Sequence, residues 1–556
     1  MTNKEIARVF NNLAAIMELH NENPFKIRSY QNAYVTLRKL DKPLAEMERK
    51  EMDEIKGVGK AIGDKIQELL TTGDLQTYRK YADETPAGVV DMLDIRGFGP
   101  KKINAVWKEL EIETVGELLY ACNENRLIEL HGFGQKTQEE IRKAAEYFLK
   151  SKNKRFWATA DEDATIVVEY LKNKIKELNI SDVKIERVGE LRRLNPIVGK
   201  IELLLSGVSD MTQLFDNEQL TLVENKDNVY LAKTENATPV VIYTCLQEEF
   251  GSKQFRYTGS PSFLEVFVKN TEGVDFKNLT TEKAVFERAG LPFIEPELRE
   301  NADILDLAKA NLLPNLIQLG DIRGVIHTHT TYSDGLNTLR EMAEFSQRLG
   351  YQYIGISDHS KAAFYANGLK EDRVLLQWAE IDALNKEFFN FKILKSIECD
   401  ILNDGNLDYD DDLLRGFDFV IASVHSVLKM NEEKATARLI KAVENPFVSI
   451  LGHPTGRLLL SREGYPIDHK KVIDACAANK VAIEMNASPY RLDLDWTWIP
   501  YAREKGVLIS VNPDAHTCEG IKDIRYGVLA ARKGRLDTEG CLNARDLDGF
   551  LDLIAK

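Results

Sequence analysis

The stretch GVIHTHT, residues 324–330, is a short apolar run that closes on two histidines one residue apart. Six further stretches keep the same rhythm: YIGISDHS (353–360), FKILKSIECDIL (391–402), FDFVIASVHS (417–426), FVSILGHPTG (447–456), KVAIEMNAS (480–488) and GVLISVNPDAH (506–516). Each is long enough for a buried strand and closes on polar, metal-competent residues, and most precede a helical pattern. Strands alternating with helices build a parallel sheet, and seven repeats predict an α/β barrel whose chemistry gathers at the carboxyl ends of its strands.

The chain holds 9 histidines, and six of them, His327, His329, His359, His425, His453 and His516, stand at those strand ends. A lone histidine there would read as a hydrogen-bonded core residue. Here Asp334, Glu398 and Asp514 occupy similar positions, and mixed imidazoles and carboxylates suit Mn²⁺, Zn²⁺ or Fe²⁺ better than Ca²⁺ or Mg²⁺. These residues predict a multinuclear metal site. Arg457 and Arg491 follow the fifth and sixth strands, where either a substrate phosphate or a salt bridge accounts for each. His469 lies past its strand end and reads as a surface residue; His20 and His131 fall in a helical region and receive no catalytic role.

About 150 residues at the start are helical in pattern and carry three glycine turns: IKGVGKAIGDKI from Ile55, IRGFGPKKINAV from Ile95 and LHGFGQKTQEEI from Leu130. The glycines permit a tight hairpin whose free amides, with the next helix N-terminus, can hold a phosphate oxygen. The turns resemble the helix-hairpin-helix motif, which implies sequence-independent contact with a DNA backbone through Gly57, Gly59 and Lys60, Gly97, Gly99 and Lys101, and Gly132, Gly134 and Lys136. Between this region and the barrel the pattern mixes strands and helices. ATIVVEYLKNKIKEL (164–178) predicts a helix, KIERVGELRRLNPIVGKIELLLSG (184–207) two strands joined by a polar turn, and NVYLAKTENATPVVIYTCL (228–246) a hairpin.

The motifs HTHTTYSDG, SDHS, IECDIL, SVHS, LGHPTGRLL and NPDAH make the C-terminal part resemble the PHP (polymerase and histidinol phosphatase) domain, a distorted seven-stranded α/β barrel with three metals. The resemblance implies one metal on His327, His329, Glu398 and Asp514, a second on His425 and His453 bridged by Glu398, and a third on Asp334, His359 and His516. It implies phosphoester hydrolysis, because such metals supply hydroxide near neutral pH and brace phosphoryl oxygens.

With ENPFKIRSYQNA near the start and YTGS at Tyr257 to Ser260, the whole chain resembles bacterial family X DNA polymerases carrying a C-terminal PHP domain, the PolX family. The fold class implied is multidomain α and α/β. A helical DNA-binding domain would span 1–85, helix-hairpin-helix fingers 86–155, a nucleotidyltransferase-like palm 156–245, a thumb and linker 246–320, and a distorted (βα)7 barrel 321–556. The family's palm Gly-Ser falls on Gly189-Glu190, its Asp-x-Asp on Lys200-Ile201-Glu202 and its third Asp on Val241. A cation, one carboxylate and an apolar residue do not assemble a two-Mg²⁺ centre, so polymerisation is expected to be lost and Mg²⁺ absent from the palm. Lys200 would then pair with Glu202 or touch a DNA phosphate. Lys65 occupies the place of the Schiff-base lysine of some relatives, but nothing in the sequence depresses its pKa, and a helix-surface role is expected.

The formal net charge of -15 argues against a protein that coats nucleic acid by bulk electrostatics and leaves local contacts open. Six scattered cysteines without a CxxC pair predict reduced thiols, and the amphipathic start and lack of a long apolar run predict a cytoplasmic chain with no membrane partner. The leading expectation is a DNA-repair phosphoesterase, a 3′-5′ exonuclease, that binds gapped or nicked DNA as a monomer. The alternatives are a gap-filling polymerase with unusual ligands, a small-molecule phosphomonoesterase of the histidinol phosphatase kind, and a non-catalytic DNA scaffold.

Overall fold

The computed structural model describes residues 1–40, 42–55, 58–95, 97–151, 154–216, 218–235 and 237–554, which form two compact units, Met1–Phe148 and Leu149–Lys556. No helix among the described residues is long and apolar enough to cross a membrane.

The first unit is helical, and its three glycine turns share one hydrogen-bonding plan. Val58 N–H donates to the Ile55 carbonyl at 2.9 Å, Phe98 to Ile95 at 3.1 Å and Phe133 to Leu130 at 3.0 Å. Gly59 then caps the helix Lys60–Thr72, Gly99 caps Pro100–Glu109, and Gly134 precedes Gln135–Ser151. Gly97 (φ +82°) and Gly132 (φ +85°) adopt the left-handed conformation that favours glycine. Gly57, expected to contact DNA in the same way, lies outside the described residues. Lys60, Lys101 and Lys136 are exposed, while Lys65 is half-buried.

The second unit begins with seven strands, β1 (Arg155–Phe156), β2 (Lys184–Val188), β3 (Ile197–Val198), β4 (Ile201–Ser206), β5 (Leu220–Lys226), β6 (Val229–Thr234) and β7 (Pro239–Cys245), most of them in one small sheet. β1 and β3 form a two-residue antiparallel ladder; the other five make a sheet of order β2-β4-β7-β6-β5, with β4 parallel to β7. The helix Trp157–Glu177 buries Ala160, Ala164, Val167, Leu171 and Ile175, a spacing of three and four that gives one apolar face. Two expectations need correction. The turn between β2 and β4 contains a helical segment, Gly189–Arg192, and the ladder strand β3, and β5 was not expected at all. Gly189 opens that segment at φ +68°, and a Cβ on it would meet Glu202 Oε2 at 1.9 Å, so the position requires glycine.

Residues that follow pack a phenylalanine cluster of Phe255, Phe263, Phe267 and Phe286. Arg299 is fully buried over Phe286 and Phe293 and pairs with Glu282 at 2.5 Å, which also receives Arg192 at 2.7 Å. Buried Lys533, from the last barrel helix but one, donates to the Arg193 carbonyl and to Glu300, both at 2.9 Å, and Arg193 reaches Glu300 at 3.0 Å. These charges knit the small sheet, the phenylalanine segment and the barrel together.

The barrel comprises β8 (Gly324–Val325), β9 (Tyr353–Ile356), β10 (Lys392–Asp400), β11 (Phe419–Ser423), β12 (Val448–Leu451), β13 (Ala482–Asn486) and β14 (Ile509–Asn512), all parallel and neighbouring in sequence order. A parallel bridge from Thr328 to Ala515 crosses the seam between β8 and β14, with His329 N–H donating to the Ala515 carbonyl at 2.9 Å. Side chains alternate along each strand, so Leu394, Ser396, Glu398 and Asp400 share one face of β10. Leu394 joins an apolar plug with Tyr353, Ile421, Ile450 and Phe550. Glu398 and Asp400 stand above that plug, at the carboxyl end.

Candidate metal centre

Glu398 is the hub. Its Oε1 lies 2.9 Å from His453 Nε2, 3.1 Å from His425 Nε2 and 3.3 Å from His327 Nε2, and its Oε2 lies 3.0 Å from His359 Nδ1. Asp514 Oδ1 sits 3.3 Å from His327 Nε2 and 3.1 Å from His329 Nε2. Asp334 lies 3.5 Å from His359 and 3.4 Å from His516. All nine side chains singled out in the sequence therefore converge on one end of the barrel.

The donor atoms are arranged for cations. Potential ligand atoms of His329, Asp334, His359 and His516 lie within 4.8 Å of one another, as do those of His327, His329 and Asp514, and those of His359, Glu398 and His425. His327 Nε2, His329 Nδ1, Asp334 Oδ2 and Glu398 Oε2 are buried without a hydrogen-bond partner among the described residues, which is costly unless an ion completes them. His327 (φ +54°) and Asp514 (φ +53°) hold left-handed conformations that non-glycine residues seldom adopt, a strain the surrounding barrel must impose.

Electrostatics agree with the geometry. Burial disfavours charge on Glu398, but His425, His327 and His359 override it and hold the carboxyl well below the usual range. Asp334 is likewise held low against burial by His516 and His359. Burial also opposes charge on His327, which Glu484, Asp514 and Glu398 nevertheless raise well above the usual histidine value. His329 moves the other way, lowered by burial and by His516 and His359.

Several supporting residues were not anticipated. Glu484, fully buried on β13, accepts from His327 Nδ1 at 2.6 Å, from Asn486 at 2.9 Å, from Asn512 at 2.8 Å and from the His453 backbone at 3.3 Å. Asp400 meets His425 Nδ1 at 2.5 Å. Asp358 gathers Thr330, Ser333 and Gln377, fixing the loop that carries Asp334. Period-2 alternation was the available signal: Asp400 and Glu398 share a face, as do Glu484 and Asn486.

Arg457 pairs with Asp495 and donates to the carbonyls of Arg491 and Leu492, so it ties two loops together. Arg491 is buried. His469 is half-buried rather than at the surface, its ring stacked on Trp498 at 4.5 Å. In the small sheet, Lys200 Nζ lies 2.9 Å from Glu202, Tyr243 donates to Glu202 at 2.8 Å, and Glu190 accepts from the Gly199 amide at 3.0 Å.

Residues 326–488 match the PHP domain family, residues 1–75 a helix-hairpin-helix domain and residues 89–146 a SAM-like helix-hairpin-helix tandem. A Bacillus subtilis (strain 168) protein named DNA polymerase/3'-5' exonuclease PolX is 36% identical over 576 residues, covering 99% of each chain. A probable phosphatase of Thermoanaerobacter sp. (strain X514) is 32% identical over 203 residues, covering 34% of this chain and 77% of that protein. A probable phosphatase of Clostridium novyi (strain NT) is 26% identical over 203 residues, covering 35% and 78% respectively.

Proposed function

The chain belongs to the PolX family, and on that premise we propose that its PHP barrel is a metal-dependent 3′-5′ DNA exonuclease while its palm binds DNA without polymerising it. The observation that carries the reading is the convergence of six histidines and three carboxylates around Glu398. Three divalent transition-metal ions, Mn²⁺, Zn²⁺ or Fe²⁺, fit that donor set: one on His327, His329, Glu398 and Asp514, one on Glu398, His425 and His453, one on Asp334, His359 and His516. Bound there, such ions supply Lewis acidity toward a phosphodiester and an activated water near neutral pH.

The protein's own groups prepare that chemistry. Glu484 holds His327 by Nδ1 so that Nε2 faces Glu398 and Asp514, and Asp400 does the same for His425. The apolar plug beneath Glu398 closes the floor of the barrel, so the metal-binding set is reached from the carboxyl end alone. In the first unit, the glycine turns with Lys60, Lys101 and Lys136 offer backbone phosphates amide and ammonium donors in a sequence-independent way, which suits gapped or nicked DNA.

The test is hydrolysis of a 3′-end-labelled gapped duplex with Mn²⁺ by the wild type and by His327→Ala. The reading expects nucleotide release by the wild type and its loss in the variant; undiminished release by His327→Ala would overturn it. The barrel's likeness to proteins named probable phosphatases favours a second reading, a small-molecule phosphomonoesterase. Turnover of p-nitrophenyl phosphate without hydrolysis of DNA would favour that one.

A further inference from the structure

Between His359 and the helix Glu371–Leu384 the chain makes a tight excursion, KAAFYANGL, residues 361–369. Its two ends are stitched together: Leu369 N–H donates to the His359 carbonyl at 2.8 Å, and Ser360 bridges Leu369. Within it Ala363 donates to Ser360 at 3.0 Å and Gly368 to Ala363 at 3.1 Å, while Ala362 N–H reaches Asp408 at 2.5 Å. A Cβ on Gly368 would lie 2.0 Å from the Ser360 carbonyl, so the turn closes this tightly only with glycine there.

On this stiff turn Phe364 is 86% exposed. Its ring meets Tyr365 edge-on at 6.1 Å, and the Tyr365 ring lies 6.4 Å from that of His359. An apolar ring thus stands in water two rings out from the metal-binding set. Single exposed apolar residues are ordinary. Phe389, 81% exposed, precedes β10 and so belongs to the opposite end of the barrel; Phe364 belongs to the end that carries the chemistry.

Three cations near this rim are already engaged. Lys361 pairs with Glu371 at 2.6 Å, Arg373 donates to the carbonyls of Tyr332 and Asn367, and Arg457 is held by Asp495. A substrate with a planar face gains at Phe364 what a bare phosphate does not. We propose that Phe364 is the stacking platform for the unpaired 3′-terminal nucleobase of the strand whose phosphodiester enters the centre. The assignment rests on the reading of the barrel as a 3′-5′ nuclease, and adds the residue by which it prefers a DNA end to a small phosphoester.

The experiment uses the full chain loaded with Mn²⁺ and compares the wild type, Phe364→Ala and Phe364→Trp. Three substrates are used: single-stranded DNA with a 3′-terminal thymine, the same strand with a 3′-terminal abasic nucleotide, and methyl p-nitrophenyl phosphate. Base stacking on one aromatic ring predicts a KM about tenfold higher for the thymine end in Phe364→Ala, recovered in Phe364→Trp. The abasic end and the small ester should be turned over alike by all three proteins. A strand bearing 2-aminopurine at its 3′ end, mixed with protein in EDTA, should lose fluorescence with the wild type and keep it with Phe364→Ala. Equal losses on the thymine and abasic ends, or no change on either, would overturn the assignment. Failure of the nuclease reading shows separately, as a wild type that cleaves the small ester and leaves both DNA strands intact; the assignment then falls with it.

Discussion

Glu202 and Val241 are register partners on the adjacent parallel strands β4 and β7, so the apolar residue stands beside the one carboxylate the palm retains there. That carboxylate is already shared between Lys200 and Tyr243. Two Mg²⁺ ions need several closely placed oxygens, and among the described residues no group of three or more metal-competent side chains includes Glu202.

Primer extension with Mg²⁺ and all four nucleotides is therefore expected to be absent in the wild type. Glu202→Ala should leave hydrolysis by the barrel unchanged and cost about 1–3 kcal/mol of stability, because a half-buried Tyr243 hydroxyl loses its acceptor. Urea denaturation measures the second effect. Robust extension that disappears in Glu202→Ala would show a working polymerase.

Glu484→Gln keeps the shape of the side chain but weakens its hold on His327 Nδ1. Groups that orient a metal ligand in this way typically contribute about 10–100-fold to affinity. Titration of the metal-free variant with Zn²⁺ or Mn²⁺ should show the weakest-bound ions shifted by that factor, with the far-ultraviolet circular dichroism spectrum unchanged.

Metal loading should strengthen as pH rises. Burial opposes charge on His359, but Asp334 and Glu398 push it up to about 10; His425 is raised to about 10 by Glu398 and Asp400 against the same burial. Both imidazoles are thus protonated at neutral pH in the metal-free protein, and coordination must expel those protons. Calorimetry in buffers of different ionisation enthalpy should record proton release, and affinity should climb from pH 6 to pH 8. A pH-independent affinity would contradict this account.

Lys101 and Lys136 follow glycine turns of the same geometry and are both exposed. If each neutralises a phosphate, replacing both by alanine should flatten the plot of log Kd against log salt by about 2 in slope, alike for unrelated DNA sequences. Gel-shift titrations at several salt concentrations would measure it.

The barrel was legible because each strand's apolar run is terminated by residues of unusual chemistry, and nine histidines in 556 residues leave little room for coincidence. The supporting carboxylates were harder to see. Glu484 and Asp400 lie within or at the end of strands, where a sequence does not reveal which face is interior until the register is known. Asp358 sits beside His359 and reads as part of the same motif, although it serves the loop 330–333. At the helical turn Gly189–Arg192 the Glu202 side chain presses against Gly189, a tertiary contact that no local propensity encodes. Arg457 could be placed near the centre from its position, but its engagement with Asp495 depends on how two loops fold against each other.

Buried Lys533 and Arg193 meet half-buried Glu300 in a knot that admits little slack, because either cation pulled from it would lose its partner inside the protein. The small sheet is thereby fastened to the barrel at a point where neither can slide without breaking these pairs. The small sheet and the histidine cluster of the barrel therefore keep a constant separation, set by charges rather than by a hinge.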